Sequence, residues 1–187
     1  MQRRLFLQLP LLTPALAFSA APLAGSDGST AVSPQKGILV KAGQDRSNKP
    51  FKWLDATFHV KVSGQDNEGR FVIFDTLRPE KVGPPLHLHT DCDEWFFVID
   101  GEFKFQVGDE TLRLKAGDSL TVLKDTPHAF VKTSEGMARM IVMHQPAGKM
   151  EEYFRTVTQL PDQSIEGRRA YAEKHGMRIL GQPLKAD

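Results

Sequence analysis

Two histidines and a carboxylate lie close together in the segment from Gly83 to Gly101. His87 and His89 are two positions apart, so on a β-strand their side chains project from the same face. Glu94 follows His89 by five positions, an odd offset, and a turn over residues 90–93 is needed to bring it back to the histidines. Clustered imidazole and carboxylate groups are typical ligands of divalent transition metals, and the segment therefore predicts a metal site.

A later segment supplies a fourth candidate ligand. His128 follows Pro127 at the start of a short apolar run, where its side chain is available to the same site. The other histidines fit this pattern less well. His59 and His175 match no ligand spacing and are predicted to be surface residues. His144 ends a predicted strand, where it either packs or contacts a metal ligand from behind.

The segment from Gly83 resembles the first motif of the cupin superfamily, in which a glycine, a His-x-His pair, a glutamate and a second glycine follow one another. The second motif of that family resembles residues 117–128. The resemblance covers roughly residues 51–146 and implies a jelly-roll β-barrel that binds metal. The residues that match the ligand positions of the family are His87, His89, Glu94 and His128.

The chain departs from the family pattern at several loop positions. The spacer after Gly83 has three residues where five are usual. Leu123, Asp125 and Lys132 stand where cupins usually have Pro, Gly and Asn. These differences concern the shape of the loops, and all four ligand positions are filled.

The elements that must position these residues are predicted to be strands. Residues 51–146 contain short apolar segments separated by turn residues, the pattern of an all-β sandwich or barrel. With the family resemblance, the predicted fold is an all-β cupin jelly-roll β-barrel with short C-terminal helices. The predicted strands are Thr57–Val62, Arg70–Thr76, Leu86–His89, Glu94–Ile99, Glu102–Val107, Glu110–Leu114, Ser119–Leu123, His128–Val131 and Ala138–His144.

The dipeptide Asp100-Gly101 is typical of a two-residue hairpin turn. It predicts that the strand of Glu94 pairs with the strand of Glu102, so that Val98 lies opposite Phe103 and Phe96 lies opposite Phe105. In this register Glu94 faces the interior together with apolar side chains, as a metal ligand inside a barrel must.

The other face of the Glu94 strand is also apolar, because it carries Trp95, Phe97 and Ile99. A strand that is buried on both faces has this continuous apolar pattern. Either a second subunit or the terminal segments must then cover the outer side. Since cupins often form dimers through such sheets, we predict a homodimer.

Three imidazoles and one carboxylate suit one divalent transition metal ion per chain: Fe, Mn, Ni, Cu, Co or Zn. They do not suit Ca or Mg, which prefer oxygen ligands. We predict that aromatic and apolar side chains form the wall of a substrate pocket, the alternative being ordinary barrel core. These residues are Phe74, Phe96, Phe105, Phe130 and Met140.

Composition narrows the class of protein. The chain has 187 residues, 40% of them hydrophobic, which is enough for one domain with a core. A net charge of +1 gives no basis for nucleic-acid binding. The single cysteine, Cys92, excludes an internal disulfide. We interpret Cys92 as a small side chain of the motif loop.

The N-terminus has the pattern of an export signal. Arg3 and Arg4 precede an apolar run that ends at Phe18 and is shorter than the ~20 apolar residues of a membrane span. The arginine pair resembles a twin-arginine signal, with a general secretory signal as the alternative. We therefore predict an exported protein, periplasmic or secreted, with no stable membrane span after signal cleavage.

Four regions follow from these patterns. They are a signal peptide over residues 1–24, a linker and N-terminal arm over 25–50, the cupin β-barrel over 51–146 and a C-terminal helical extension over 147–187. Within the extension, helices are predicted over residues 150–157 and 164–175, and Gly176 is predicted to end the second helix.

We predict a metal-dependent, dioxygenase-like oxidoreductase. Its substrate is predicted to be small, and an aromatic substrate is favoured. The resemblance to flavonol-cleaving cupins implies that Glu94 is both ligand and catalytic base. The alternatives are a non-enzymatic cupin that binds a metal or small ligand, and a cupin isomerase or lyase, because this fold hosts many reactions.

Overall fold

The structure is a computed structural model that describes residues 37–186. Two antiparallel sheets face each other in a jelly-roll arrangement and enclose the hydrophobic core. This architecture confirms the predicted all-β class with short C-terminal helices. The predicted signal peptide, residues 1–24, and the first part of the predicted linker lie outside the described residues.

The first sheet has six strands in the order β1-β2-β3-β10-β5-β8, and the second has five in the order β11-β4-β9-β6-β7. The strands are β1 (Phe51–Trp53), β2 (Ala56–Val62), β3 (Val72–Arg78), β4 (Pro85–His89), β5 (Asp93–Asp100), β6 (Glu102–Val107), β7 (Glu110–Lys115), β8 (Ser119–Val122), β9 (His128–Lys132), β10 (Ala138–Gln145) and β11 (Met177–Pro183).

Two α-helices lie between β10 and β11 in the chain. They are α1 (Met150–Thr156) and α2 (Ile165–Lys174), and short 3-10 turns occur at Gly64–Asn67 and Val157–Gln159. Gly176, with a φ of +73°, follows the end of α2 as predicted. Neither helix, nor any other within residues 37–186, is long and apolar enough to cross a membrane.

All nine predicted strands are present, with ends that differ by at most two residues from the prediction. Two strands, β1 and β11, were not predicted. β1 has only three residues. β11 is an edge strand in the segment after the predicted helices, where no strand was predicted although the burial of its residues alternates. β11 pairs with the histidine strand β4, with Met177 opposite His89 and Ile179 opposite His87. The C-terminal extension therefore completes the second sheet in addition to forming helices.

The predicted pairing of β5 with β6 is wrong. β5 pairs with β10 and β8, with Val98 opposite Met140 and Phe96 opposite Leu120, whereas β6 pairs with β7 and β9 in the other sheet. The turn at Gly101, with a φ of +84°, carries the chain from one sheet to the facing sheet. A turn dipeptide shows where the chain reverses, but the strands that it joins can belong to different layers of a sandwich.

The predicted orientation of β5 is nevertheless confirmed, because both sheets direct the same side chains inwards. Glu94, Phe96 and Val98 are buried, and so are Phe103 and Phe105 of β6. On the opposite face of β5, Trp95 and Phe97 are half-buried and Ile99 is 40% exposed.

His59 and His175 are not surface residues, contrary to the prediction. His59 lies opposite Asp75 in the β2–β3 pairing and is 8% exposed. His175 caps α2, where its Nδ1–H donates to the carbonyl oxygen of Tyr171 at 2.8 Å and its ring centroid lies 4.2 Å from that of Tyr171. Local spacing excluded both residues as ligands but carried no information about what covers them.

Candidate metal centre

Four side chains from three strands meet inside the barrel. His87 and His89 lie on β4, His128 lies opposite His87 on β9, and Glu94 lies on β5 of the facing sheet. One ligand atom from each residue lies within 4.8 Å of the others, and all four residues are buried. The structure thus brings together all four residues predicted to hold a metal.

The turn after His89 places Glu94 in this cluster. Residues 90–92 carry the chain from the second sheet to the first, so Glu94 faces the two histidines across the interior. Backbone contacts hold the turn in place, because Thr90 N–H donates to the Gly176 carbonyl at 2.8 Å and Asp125 N–H donates to the His89 carbonyl at 2.7 Å. The C-terminal segment therefore helps to position a metal ligand.

Hydrogen bonds set the tautomers of two histidines. The Nδ1–H of His87 donates to the carbonyl oxygen of Pro85 at 2.8 Å, and that of His128 donates to the carbonyl oxygen of Thr126 at 2.9 Å. Each bond leaves Nε2 directed into the cluster as the potential ligand atom, which is the arrangement usual for metal-binding histidines.

Glu94 is the hub of the cluster. One of its oxygens, Oε2, lies 2.8 Å from Nε2 of His128 and 3.1 Å from Nε2 of His89. Burial acts to raise the pKa of Glu94, but His144, His128 and His89 outweigh burial and hold that pKa well below its usual value. Glu94 is therefore ionised at neutral pH, as a carboxylate ligand must be.

The histidines respond to the same surroundings in different ways. Burial, together with His128 and His89, lowers the pKa of His87 well below its usual value, so that His87 is neutral at neutral pH. Burial acts to lower the pKa of His128 too, but the hydrogen bond to Glu94 outweighs burial and raises it. A metal ion would take the place of the proton that His128 shares with Glu94. Three imidazoles and an ionised carboxylate, all buried, fit a divalent transition metal ion.

His144 is a fifth polar residue of this cluster. It lies opposite Glu94 in the β10–β5 pairing and is completely buried. Its Nε2 lies 3.2 Å from the second oxygen of Glu94, Oε1, although neither ring nitrogen has a well-aligned hydrogen-bond partner. In the sequence, contact with a ligand was only the alternative to packing for His144, because the register of β10 against β5 cannot be read from local spacing.

A small cavity of about 20 Å³ adjoins the cluster. His87 and Glu94 form part of its wall, and one residue of the C-terminal helices, Phe154, forms another part. Phe154, Trp53 and Met177 were not among the residues predicted to form this wall. The complete lining is Trp53, Phe58, Arg78, Pro84, His87, Glu94, Phe130, Val142, Phe154 and Met177.

The five residues predicted to form the substrate pocket have different positions. Phe130 lines the cavity. Phe96 and Phe74 lie behind the cluster, with ring centroids 6.4 Å from His128 and 5.9 Å from His144 respectively. Phe105 and Met140 are fully buried in the hydrophobic core. The motif cysteine, Cys92, is also buried, and burial together with Glu94 and Asp91 raises the pKa of its thiol.

A family model described as "Cupin domain" matches residues 73–144, which include all four candidate ligands and His144. Among curated proteins, the HTH-type transcriptional regulator PuuR of Escherichia coli (strain K12) is 30% identical over 84 residues, which are 45% of this chain and 45% of that protein. The protein of the same name from Shigella flexneri matches equally. The chain spans about half the length of the curated relatives that it matches.

Solved structures share the fold. An RmlC-like cupin from Shewanella frigidimarina NCIMB 400 superimposes with a TM-score of 0.51 at 18% identity, over 63% of this chain and 97% of that one. KdgF from Halomonas sp. superimposes with a TM-score of 0.51 at 15% identity, over 60% of this chain and 94% of that one. At these identities the likeness concerns the fold alone.

Proposed function

Because this chain belongs to the cupin superfamily through its domain at residues 73–144, we propose that it is a metal-dependent oxidoreductase, dioxygenase-like, that acts on a small substrate. The observation that carries the proposal is the buried set of three histidines and one glutamate beside a cavity. Four protein ligands leave one or two coordination positions of a metal for substrate or oxygen.

A bound divalent ion would supply Lewis-acid polarisation and, for a redox-active metal, electron transfer. The chain's own residues would hold the ion and accept a proton from the substrate. His87, His89 and His128 would hold it through Nε2, and the backbone carbonyls behind His87 and His128 keep those rings oriented.

Glu94 is the residue that we assign to proton transfer. It lines the cavity and presents an unprotonated carboxylate to a substrate hydroxyl, although the histidines that lower its pKa also make it a weaker base. A carboxylate beside a divalent cation has a disfavoured acid form, so Glu94 would have to leave a bound metal ion to act as the base. The Nε2 of His144 lies 3.2 Å from Oε1, the Glu94 oxygen that does not face His128 and His89.

Oxygen uptake tests this function. Protein loaded with Fe(II), Mn(II), Ni(II) or Cu(II) is offered a panel that runs from small hydroxy acids through catechols to flavonols. We expect uptake with at least one metal, and we expect the smaller substrates to be preferred because the cavity is small. The variant His87→Ala is expected to lose both bound metal and uptake, whereas His59→Ala, on the outer face of β2, should keep both. The absence of uptake with every metal and substrate would contradict the proposal.

Non-enzymatic ligand binding is the second candidate function. It is favoured by the small size of the cavity and by its largely apolar wall, which includes Phe154 and Met177. Tight binding of a small ligand that is recovered unchanged after long incubation with the metal-loaded protein would support this function over the first.

Export is part of the proposal. Arg3 and Arg4 before an apolar run support twin-arginine export, a route associated with proteins that fold and take up a cofactor before transport. Replacing both arginines with lysine is expected to leave the full-length chain inside the producing cell. Unchanged export of that double variant would favour the general secretory route.

A further inference from the structure

Arg78 is a buried cation in the wall of the metal-site cavity. It ends β3, is 1% exposed, and lines the same cavity as His87 and Glu94. Its Nε and Nη1 atoms are buried without a hydrogen-bond acceptor. Buried guanidinium groups are normally paired, because an unpaired N–H away from water loses the free energy of hydration.

The neighbours of Arg78 compensate its charge only in part. The guanidinium carbon lies 4.7 Å from the ring centroid of Phe130 and 5.7 Å from that of Phe58, within the range of cation–π attraction. Asp55 is the nearest carboxylate, but its Oδ1 is 3.9 Å from Nη1 and itself lacks a hydrogen-bond partner. A direct charge-assisted bond is about 2.7–2.9 Å long, so the two groups are not in hydrogen-bond contact.

The cation persists at neutral pH. Burial lowers the pKa of Arg78 to about 10, although the charges of Asp55 and Glu94 act in the opposite direction. The cavity therefore presents a positive charge with unpaired N–H donors in a wall that is otherwise largely apolar. The planar guanidinium matches the geometry of carboxylate and phosphate groups, and of the two the carboxylate is the smaller.

The size of the cavity restricts the ligand. A cavity needs about 10–15 Å³ to accommodate one water molecule, and this one has about 20 Å³. The cavity therefore admits only a small group next to Arg78. A phosphorylated sugar or a flavonol does not fit in this conformation.

We propose that Arg78 binds the carboxylate of a small organic acid in the cavity that it shares with His87 and Glu94. This inference rests on the proposed function, because it names the substrate class of the same site. The competing explanation is purely structural: Arg78 and Asp55 form a direct ion pair in solution and bind no ligand.

Anion binding without turnover tests the proposal. Zinc-loaded protein, in which the metal is redox-inert, is titrated with acetate and with acetamide, its neutral isostere, by isothermal calorimetry and thermal denaturation. We expect acetate to bind and to raise the melting temperature, and acetamide to do neither. Inorganic phosphate is the second anion, and we expect it to be too large to bind. Equal responses to acetate and acetamide, or a response to phosphate alone, would overturn the proposal.

Two substitutions of Arg78 separate the effect of its charge from the effect of its planar group of N–H donors. We expect Arg78→Met to weaken acetate binding by at least about tenfold, because a hydrogen bond to a charged group is lost. Arg78→Lys should weaken it less, since it keeps the charge but not the planar donors. Both variants should bind zinc as the wild type does. Acetate affinity that is unchanged in Arg78→Met would show that acetate binds elsewhere, for example to zinc alone.

Asp55→Asn tests carboxylate binding by Arg78 even if the Arg78 variants fail to fold. We expect this variant to bind acetate several-fold more tightly, because the carboxylate that competes for Arg78 has been neutralised. A loss of stability with no gain in acetate affinity would instead establish the structural ion pair.

Failure of carboxylate binding and failure of the oxidoreductase function are distinguishable. Acetate binding that depends on Arg78 in zinc-loaded protein supports the inference even when the redox-active metals give no oxygen uptake. Oxygen uptake that is unaffected by Arg78→Met, with no acetate binding, would overturn the inference and leave the metal function intact.

Discussion

At the scale of single residues, His144 contacts the oxygen of Glu94 that does not face the ligand histidines. Glu94 uses Oε2 toward His128 and His89, and its Oε1 faces Nε2 of His144 at 3.2 Å. Groups that position a metal ligand typically contribute about 10–100-fold to metal affinity. We therefore expect His144→Leu to lower zinc affinity by about that factor.

Competition with a fluorescent zinc chelator measures the effect of His144→Leu. His144→Gln, whose amide N–H₂ is able to donate to Glu94, should recover most of the affinity. His59→Gln is the matched control, because His59 is also buried but lies on the outer face of β2. If His144→Leu bound zinc as tightly as the wild type, His144 would act only in packing.

At the scale of elements, the entry into the histidine strand depends on a close backbone approach at Gly83. A Cβ built on Gly83 would lie 1.6 Å from the carbonyl oxygen of Phe130 and 3.2 Å from Cα of Val131, both on the His128 strand β9. Backbone cannot move aside as a side chain does. We expect Gly83→Ala to push β4 and β9 apart and so to separate His87 from His128.

The expected loss for Gly83→Ala is at least about 1–3 kcal/mol of unfolding free energy, together with weaker zinc binding. Urea denaturation and zinc titration measure the two effects. Gly37→Ala is the control, because a Cβ there meets nothing within 4 Å. If Gly83→Ala matched this control in both measurements, the close approach would have no role in forming the site.

Asp45 fastens the N-terminal arm to β2. Its Oδ2 accepts the N–H of Val60 at 2.7 Å, and its Oδ1 accepts the N–H groups of Ser47 and Lys49. Burial acts to raise the pKa of Asp45, but these hydrogen bonds outweigh burial and hold it below its usual value of 3.8. We expect Asp45→Asn to cost about 1–3 kcal/mol at neutral pH, because the buried N–H of Val60 and the partly buried N–H groups of Ser47 and Lys49 lose a charged acceptor.

The pH dependence of this effect has a defined sign. A folded-state pKa below the unfolded value means that ionised Asp45 stabilises the fold above pH 3.8, and that the contribution is lost as the pH falls through the folded pKa. The stability difference between wild type and Asp45→Asn should therefore shrink in acid. Asp109→Asn, in an exposed turn, should change stability by less than about 0.5 kcal/mol at every pH. A pH-independent difference would exclude the carboxylate charge as its cause.

At the scale of the whole molecule, the outer face of the six-stranded sheet supports association of two chains. The rings of Trp95 and Phe97 stack at 5.8 Å, and Ile141 and Met143 of the adjacent strand β10 continue the apolar surface on the same face. We propose that residues 25–187 form a homodimer through this face, and we expect light scattering after size exclusion to show it. Phe97→Glu should give a monomer, and Ile165→Lys, on the exposed side of α2, should leave the dimer intact. A monomeric wild type would rule out this interface.

The sequence alone determined nine of the eleven strands that the structure describes, the candidate ligands His87, His89 and Glu94, and the inward orientation of Glu94, because each rests on local spacing: alternation along a strand, two histidines two positions apart, and a turn before the glutamate. The fourth candidate ligand, His128, followed from the resemblance to the cupin motifs. The sequence did not determine which strands pair with one another. Asp100-Gly101 marks a chain reversal, yet β5 and β6 lie in different sheets, because either arrangement buries the same alternating residues.

Only the tertiary structure decided which distant residues complete the site. His144 reaches Glu94 because β10 lies beside β5, and Phe154 and Met177 reach the cavity because the C-terminal segment folds back over the barrel. Arg78 has no spacing relation to the histidines and becomes a candidate ligand contact only because its N–H groups are buried without acceptors in the same cavity. Contacts between segments far apart in the chain leave no periodic pattern in the sequence. Alternation is a property of one strand, whereas burial depends on how the sheets assemble.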